Sequence, residues 1–244
     1  MLLHLQASPP PAYLYGLTSL ASESEQAAQL LEKTPHTNTS VELVTSSATY
    51  RPGKDVGHVL DPMRGFLGRR FADSDIDDDP YDYTDEEAER LPSTTPPPYD
   101  LVYVLDAIYH FPPAVPYFLA SVIKVLRPGS GVIAYTDILP PPNVGALLGN
   151  LLLPPLLSVP ARNLVSRPGS IQKYVELLNE IGYEDVVIED WSGDVWNGFA
   201  SNLRERGFLW RQVARFVEAA DRSGWKFIAV RAKRPETPLA GVSA

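Results

Sequence analysis

Residues 99–139 decide the fold, and they read YDLVYVLDAIYHF, PPAVPYFLASVIKVLRPGSG and VIAYTDIL in succession. Residues 101–105 are a short, near-continuous apolar run, which is typical of a strand buried on both faces. The apolar residues then follow a helical period over residues 114–126, and the RPGSG sequence ends that helix. Residues 132–135 form a second short apolar strand. The stretch therefore predicts a βαβ unit with two parallel strands and a right-handed connection.

Polar side chains follow both of these strands. Asp106, Tyr109 and His110 come after the first strand, and Asp137 comes after the second. Ligands of open parallel sheets bind beyond the carboxyl ends of the strands, so we expect these residues to lie at a binding site. His110 is the candidate general base because imidazole titrates near neutrality; the alternative is that it caps a backbone group or packs under the helix. Asp106 is either a ligand or a helix N-cap.

The same stretch carries a family resemblance. The opening Tyr-Asp-Leu-Val, the exit Ala-Ile-Tyr-His-Phe and the turn Leu-Arg-Pro-Gly resemble the fourth and fifth strands of class I S-adenosylmethionine-dependent methyltransferases. Within this family, the stretch most resembles the small-molecule enzymes of the ubiquinone-, menaquinone- or sarcosine-methylating type. This resemblance implies an α/β fold with a Rossmann-like, mostly parallel sheet covered by helices on both faces. It also implies S-adenosyl-L-methionine as the cofactor.

The residues upstream of this stretch read as strand, helix and strand over residues 13–18, 22–33 and 41–48. In the family that the chain resembles, these would be the second strand, the helix after it and the third strand. The resemblance then implies the following cofactor-binding residues: Gly16, Thr18, Ser47, Ala48, Asp106 and Ala107. Thr18 stands where many relatives have an acid that binds the ribose hydroxyls, and a hydroxyl accepts such bonds more weakly. The family resemblance further implies that the ring of Tyr109 contacts the sulfonium of the cofactor, although a position in the core is the alternative.

The glycine-rich turn that follows the first strand of this family does not occur in the sequence, and residues 1–6 resemble the end of the first helix. We therefore expect the first strand to be missing because the gene product is truncated. The alternative is a sheet in which the second and fourth strands pair directly. With the turn absent, we expect weak cofactor binding and marginal stability.

Composition and charge argue against two classes of function, nucleic-acid binding and metal binding. The formal net charge of −9 comes mainly from residues 73–89, which hold ten acids and no base. The remainder has no basic excess, so we expect no nucleic-acid partner. Without cysteine, and with four scattered histidines, the sequence predicts no metal site. We expect a single domain over residues 1–234 with a solvated, disordered acidic insertion at about residues 51–98, and a flexible tail at residues 235–244.

No secretory signal is recognisable, and the apolar residues 143–159 are interrupted by Pro154 and Pro155. A cytoplasmic protein without stable membrane insertion is therefore expected. Residues 144–164 are apolar and follow the fifth strand, which favours a lid over an apolar acceptor; a helix packed on the domain or a homodimer contact is the alternative. Trp191, Trp196 and Phe199 either close the same pocket or belong to the core.

The sequence of the C-terminal part predicts a helix that begins after Ser170 and ends at Gly182, strands at residues 186–189 and 225–232, and a helix over residues 203–220.

Taken with the family resemblance, the whole sequence leads to the hypothesis of S-adenosylmethionine-dependent methyl transfer to a small, partly apolar molecule. The competing hypothesis is a binding or scaffold protein that kept this fold and lost the cofactor site. An NAD-type dehydrogenase is a third possibility that would share the sheet, but the GxGxxG motif that it needs does not occur in the sequence.

Overall fold

The computed structural model describes residues 11–33, 39–51, 54–55, 58–61, 98–111, 114–141 and 168–236. The chain divides into two compact units, Met1–Tyr50 and Arg51–Ala244, which we term the N-terminal unit and the C-terminal unit. The single domain predicted over residues 1–234 stays a prediction. Residues 1–6, most of the acidic insertion, the apolar segment 144–164 and most of the tail lie outside the described residues.

The N-terminal unit is a strand–helix–strand unit, as predicted. It contains β1 (Tyr13–Thr18), α1 (Ala21–Glu32) and β2 (Ser40–Thr45). The two strands are parallel, in a register that pairs each residue of β1 with the residue 27 positions later, from Tyr13 with Ser40 to Thr18 with Thr45. Both carboxyl ends therefore lie at the same edge of this two-stranded sheet.

The C-terminal unit contains a four-stranded sheet in the order β3–β4–β6–β5. In chain order its described elements are β3 (Leu101–Val104), a 3₁₀ helix (Ile108–His110), α2 (Val115–Val125), β4 (Val132–Leu139), α3 (Ile171–Ile181), β5 (Glu184–Asp190), α4 (Ser192–Glu205), α5 (Phe208–Arg222) and β6 (Lys226–Lys233). β3 and β4 are parallel, whereas β6 is antiparallel to both of its neighbours. These elements confirm the α/β class and the βαβ unit of β3, α2 and β4.

Helix α3 ends where its sequence predicts. The hydroxyl of Ser170 accepts a hydrogen bond from the backbone N–H of Lys173 at 3.2 Å, which caps the first turn. Gly182 follows the last turn with φ +108°, a left-handed conformation that glycine adopts without steric cost. The helix is thereby fixed in register, with Tyr174 and Leu178 buried against the rest of the unit.

Three predictions for the C-terminal unit were wrong. Helix 203–220 is in fact two helices, α4 and α5, because Gly207 with φ +116° leaves the helical conformation between them. Strand β4 continues to Leu139 rather than ending at residue 135. His58–Asp61 had been assigned to the solvated insertion, but these residues are buried, and Tyr99 donates its hydroxyl to the carbonyl of Val59 at 2.8 Å.

Strand β3 also differs from its predicted burial. Leu101, Tyr103 and Leu105 are 49%, 48% and 58% exposed, although the apolar run predicted a strand covered on both faces. Within the described residues, β3 pairs with β4 alone and is therefore an edge strand. An apolar run predicts that a strand is buried, but it does not predict which segment of the chain buries it.

A polar network joins β5, α4 and β6, and it makes the stability depend on pH. Asp190 accepts hydrogen bonds from the ammonium of Lys226 at 2.6 Å and from the backbone N–H of Ser192 at 3.1 Å. Partial burial acts to raise the pKa of Asp190, but these hydrogen bonds outweigh it and the pKa is lowered. The stabilisation is therefore present above the ordinary carboxyl pKa and is lost as the pH falls below it.

We expect Asp190→Asn to unfold at a lower denaturant concentration than the wild type at neutral pH, with the two converging in acid. Denaturant titrations across the acidic range measure this difference. Asp194→Asn is the matched control, because Asp194 is an exposed carboxylate only four residues later, in the first turn of α4. A difference between Asp190→Asn and the wild type that is the same at every pH would contradict the prediction.

Candidate active site

The carboxyl end of β3 presents a carboxylate in a fixed position. Asp106 has φ +52°, a left-handed conformation that few residues other than glycine adopt. Its backbone N–H donates to the hydroxyl of Thr136 on β4 at 2.8 Å, and the hydroxyl of Tyr109 donates to its carboxylate. These two contacts hold Asp106 from both sides, while the residue itself stays exposed. An unfavourable backbone conformation that neighbours hold in place is a feature of functional sites.

The N-cap alternative for Asp106 is wrong. The residue that precedes the 3₁₀ helix is Ala107, and no side chain caps its first turn. The carboxylate of Asp106 instead accepts from Tyr109, one turn along the same helix. It is thus available to a ligand on its exposed side.

Tyr109 and His110 are adjacent but differ in their surroundings. Tyr109 is only 6% exposed and belongs to a core cluster with Trp196 on α4 and Phe227 on β6. His110 is half-buried at the end of the 3₁₀ helix, and its ring lies 4.5 Å from that of Tyr109 between centroids. Tyr109 therefore orients Asp106 through its hydroxyl while its ring packs in the core, and His110 keeps a partly accessible imidazole.

Asp137 does not lie at the strand end, contrary to prediction. Because β4 continues to Leu139, Asp137 is inside the strand and completely buried. Its carboxylate accepts from the hydroxyl of Tyr174 at 2.8 Å and from the backbone N–H of Ile138 at 2.7 Å. Tyr135 in turn donates to the hydroxyl of Tyr174 at 3.2 Å. Asp137 thus ties β4 to α3.

Thr136 is a site residue that sequence reasoning missed. It is 3% exposed and accepts the backbone N–H of Asp106, which joins the ends of β3 and β4. The signal was present, since Thr136 is a polar residue within the apolar strand VIAYTDIL. A buried hydroxyl requires a hydrogen-bond partner, and the partner of Thr136 is the backbone N–H of Asp106.

The N-terminal unit holds the other predicted cofactor-binding residues. Thr18 ends β1, where its hydroxyl donates to the carboxylate of Glu23 at 2.6 Å and accepts from the N–H of Leu20 at 3.2 Å. Glu23 lies in the first turn of α1, so an acid does follow β1, five residues after Thr18, the position at which many members of the resembled family have one. Gly16 lies within β1 opposite Leu43, two residues before the strand ends.

Ser47 and Ala48 follow β2 at the same edge of the two-stranded sheet. The hydroxyl of Ser47 accepts from the backbone N–H of Thr49 at 3.1 Å, which shapes the turn after the strand. Whether any of these residues of the N-terminal unit bind a cofactor stays a prediction, as it does for Asp106 and Ala107 in the C-terminal unit.

An apolar groove of about 210 Å³ lies on one face of the four-stranded sheet. Its lining includes Tyr103, Thr136, Val187, Trp191 and Ala229. None of the predicted cofactor-binding or catalytic residues lines it. Trp191 therefore borders a pocket, whereas Trp196 is buried in the core and Phe199 is 41% exposed on α4.

Two further observations concern the described residues only. They contain no group of three or more histidine, aspartate or glutamate side chains that could hold a metal ion. They also contain no helix that is both long enough and apolar enough to cross a membrane.

No family model matches the sequence, and no curated protein matches it. The structure, however, is similar to solved structures. One is SpnF, a [4+2]-cyclase, with 13% identity and a TM-score of 0.56 over 95% of this chain and 69% of that chain. Another, from Galdieria sulphuraria, is assigned as a sarcosine dimethylglycine methyltransferase, with 13% identity and a TM-score of 0.57 over 92% of this chain and 78% of that one.

A third is the cyclopropane synthase MmaA2 from Mycobacterium tuberculosis, with 13% identity and a TM-score of 0.52 over 90% of this chain and 69% of that chain. At this identity the similarity shows the fold alone, and the fold is the Rossmann-like fold of class I S-adenosylmethionine-dependent methyltransferases. The resemblance stated from the sequence is confirmed at that level. The three proteins differ in the reactions that they are named for, so the fold by itself does not select one.

Proposed function

We propose that the protein transfers a methyl group from S-adenosyl-L-methionine to a small, partly apolar acceptor. The observation that carries this proposal is Asp106, an exposed carboxylate held in a left-handed conformation at the carboxyl end of β3 by Tyr109 and Thr136. In sheets of this type, the carboxyl ends of the strands are where ligands bind. The fold shared with the sarcosine dimethylglycine methyltransferase supports the same reaction class.

The acceptors present fit two of the polar groups of this cofactor, the ammonium and the ribose hydroxyls. S-Adenosylmethionine carries an ammonium, two ribose hydroxyls and, as the group it supplies to the reaction, an electrophilic methyl on a sulfonium. In the C-terminal unit, Asp106 is an acceptor for hydrogen bonds from such cationic or hydroxyl groups. In the N-terminal unit, Glu23 and Thr18 form a carboxylate–hydroxyl pair of the kind that binds ribose hydroxyls. Glu23 would thus serve in place of the acid that the sequence lacks at Thr18.

The remaining residues of the C-terminal unit orient the reactants and handle the proton. A displacement of this kind depends mainly on holding the reactants in line, for which a fixed carboxylate is more useful than a mobile one. His110 accepts a proton at its imidazole where the acceptor loses one during attack. The apolar groove beside Tyr103 and Trp191 supports an acceptor with apolar surface.

Calorimetry of the full chain with S-adenosylmethionine and S-adenosylhomocysteine tests the proposal. We expect saturable binding of both, which Asp106→Asn weakens by about tenfold or more because the charged acceptor is lost. Asparagine tolerates the left-handed conformation, so the backbone is kept. Asp185→Asn is the matched control, since Asp185 is the other aspartate with a left-handed backbone, φ +51°, among the described residues.

The same measurement tests the assignment in the N-terminal unit. Glu23→Gln should weaken binding of both ligands by about tenfold, because a neutral amide replaces the charged acceptor of two hydroxyl protons. Glu25→Gln removes an equally exposed charge from the same helix and should leave the affinity unchanged. Equal affinities for Glu23→Gln and Glu25→Gln would remove Glu23 from the site.

The second candidate function is a scaffold or partner-binding protein with this fold. The exposure of Leu101 and Tyr103 on edge strand β3, and of Leu105 directly after it, favours this candidate, because an apolar surface of this kind is suited to contact with another molecule. Absence of calorimetric binding of both ligands to a folded chain would favour this candidate over methyl transfer.

A further inference from the structure

The α4–α5 connection exposes bulky apolar side chains at its surface. Phe208 and Leu209 begin α5 and are 72% and 77% exposed, and Trp210 and Phe216 are also exposed on this helix. All four lie within nine residues at the N-terminal end of α5, and we term them the apolar patch. Exposed apolar patches of this kind mark interaction sites.

Arginines border this patch. Arg206, Arg211 and Arg215 are exposed and, among the described residues, none of them forms an ion pair. The guanidinium of Arg206 lies 6.0 Å from the centre of the Trp210 ring, which places its charge beside the apolar patch. The stretch from Arg204 to Phe216 contains four arginines and one glutamate, in a chain whose net charge is −9.

Helix α5 separates its faces clearly. Ala214, Val217 and Ala220 are buried on one side. Phe208 and Arg215 are seven residues apart, so they share the opposite side, with Arg211 next to them. The exposed side of α5 is therefore apolar at its N-terminal turn and basic along its length. Trp, Phe and Leu combined with arginine is the composition of helices that lie in a membrane interface.

We propose that the start of α5, residues 206–216, docks the protein on an anionic lipid bilayer. Phe208 and Leu209 enter the boundary between headgroups and acyl chains, Trp210 lies at its edge beside Arg206, and Arg206, Arg211 and Arg215 bind the lipid phosphates. Charge complementarity selects this occupant: a cluster of positive charge on an otherwise acidic chain is attracted to an anionic surface, whereas a second copy of the same patch would repel it. The inference does not depend on the proposed methyl transfer.

Sedimentation of the full chain with vesicles tests the proposal. We expect the chain to bind vesicles of phosphatidylcholine mixed with phosphatidylglycerol, and to bind vesicles of phosphatidylcholine alone much more weakly. The triple variant Arg206→Gln, Arg211→Gln, Arg215→Gln should lose about a hundredfold in partition coefficient, because each arginine contributes about fivefold near an anionic surface. The same loss of three positive charges elsewhere, Lys54→Gln with Lys124→Gln and Lys173→Gln, all of them exposed, should have little effect.

The apolar part of the patch is tested separately. Phe208→Ser with Leu209→Ser should lower the partition coefficient by about a hundredfold or more, since both side chains leave water on binding. Tyr117→Ser is the control, because Tyr117 is a similarly exposed aromatic residue, at 66%, on α2. Trp210 fluorescence should shift to shorter wavelength with anionic vesicles, and Trp210→Phe should abolish that shift. Circular dichroism confirms that each variant is folded.

Three results would overturn the proposal. The first is that the folded wild-type chain does not sediment with anionic vesicles. The second is that both patch variants bind as tightly as their controls. The third is that the wild-type chain self-associates and Phe208→Ser with Leu209→Ser makes it monomeric, which would assign the patch to a second copy of the chain.

Discussion

Replacing His110 with alanine is expected to lower the turnover of methyl transfer by about a hundredfold or more, the usual contribution of a general base. The half-buried imidazole lies at the end of the 3₁₀ helix, four residues beyond Asp106. Its loss removes the group that accepts a proton, but it leaves the contacts that hold Asp106 in place. Binding of S-adenosylhomocysteine should therefore change little. Turnover measured at saturating cofactor, together with calorimetry, separates the two effects.

The pH profile adds a criterion that a structural role would not meet. A general base gives the wild-type rate an acidic limb, which His110→Ala should lose. Tyr109→Phe provides the contrast, because it removes the hydroxyl that holds the Asp106 carboxylate and keeps the ring in the core. Tyr109→Phe should weaken cofactor binding and retain the acidic limb. Unchanged turnover for His110→Ala would assign the residue to the packing around Tyr109.

Local sequence signals predicted the elements of the fold with good accuracy where the signals were strong. Ser170 and Gly182 marked the two ends of α3 because each has a specific backbone role, as a hydrogen-bond acceptor and as a left-handed residue. Gly207 carried the same kind of signal and was passed over, since the apolar period on both sides favoured one continuous helix. A glycine within a helical pattern can cost about 1 kcal/mol and continue the helix, or it can end it.

The site was harder to predict because its contacts are not local. The exit of β3 was recognised as the site region, but the conformation of Asp106 depends on Thr136, thirty residues later. Glu23 was missed for a similar reason: a first-turn glutamate is ordinary in a helix, and only the 2.6 Å contact with Thr18 singles it out. Asp137 was misplaced because a carboxylate within an apolar strand is stable only when partners such as Tyr174 satisfy it.

A second large effect is expected from Gly131→Ala, in the turn between α2 and β4. A Cβ atom at residue 131 would lie 2.4 Å from the backbone nitrogen of Arg127 and 2.7 Å from its carbonyl oxygen. The turn cannot move away easily, because the N–H of Arg127 donates to the carbonyl of Tyr99 at 2.8 Å and the carbonyl of Gly131 accepts from Arg234 at 2.9 Å. We therefore expect the free energy of unfolding to fall by about 1–3 kcal/mol or more.

The expected loss is a large fraction of the stability of a typical domain, roughly 5–15 kcal/mol, so denaturant titration should show it clearly. Gly198→Ala is the matched control. Apart from the neighbouring residues and the backbone of α4 itself, no atom lies within 4 Å of a Cβ at Gly198, and the residue is in the interior of α4, where alanine favours the helix by up to about 1 kcal/mol. The two substitutions should therefore have opposite signs. Gly131→Ala with wild-type stability would show that the turn after α2 relaxes without breaking its contact with Tyr99, and that this turn does not fix the register of β3 and β4.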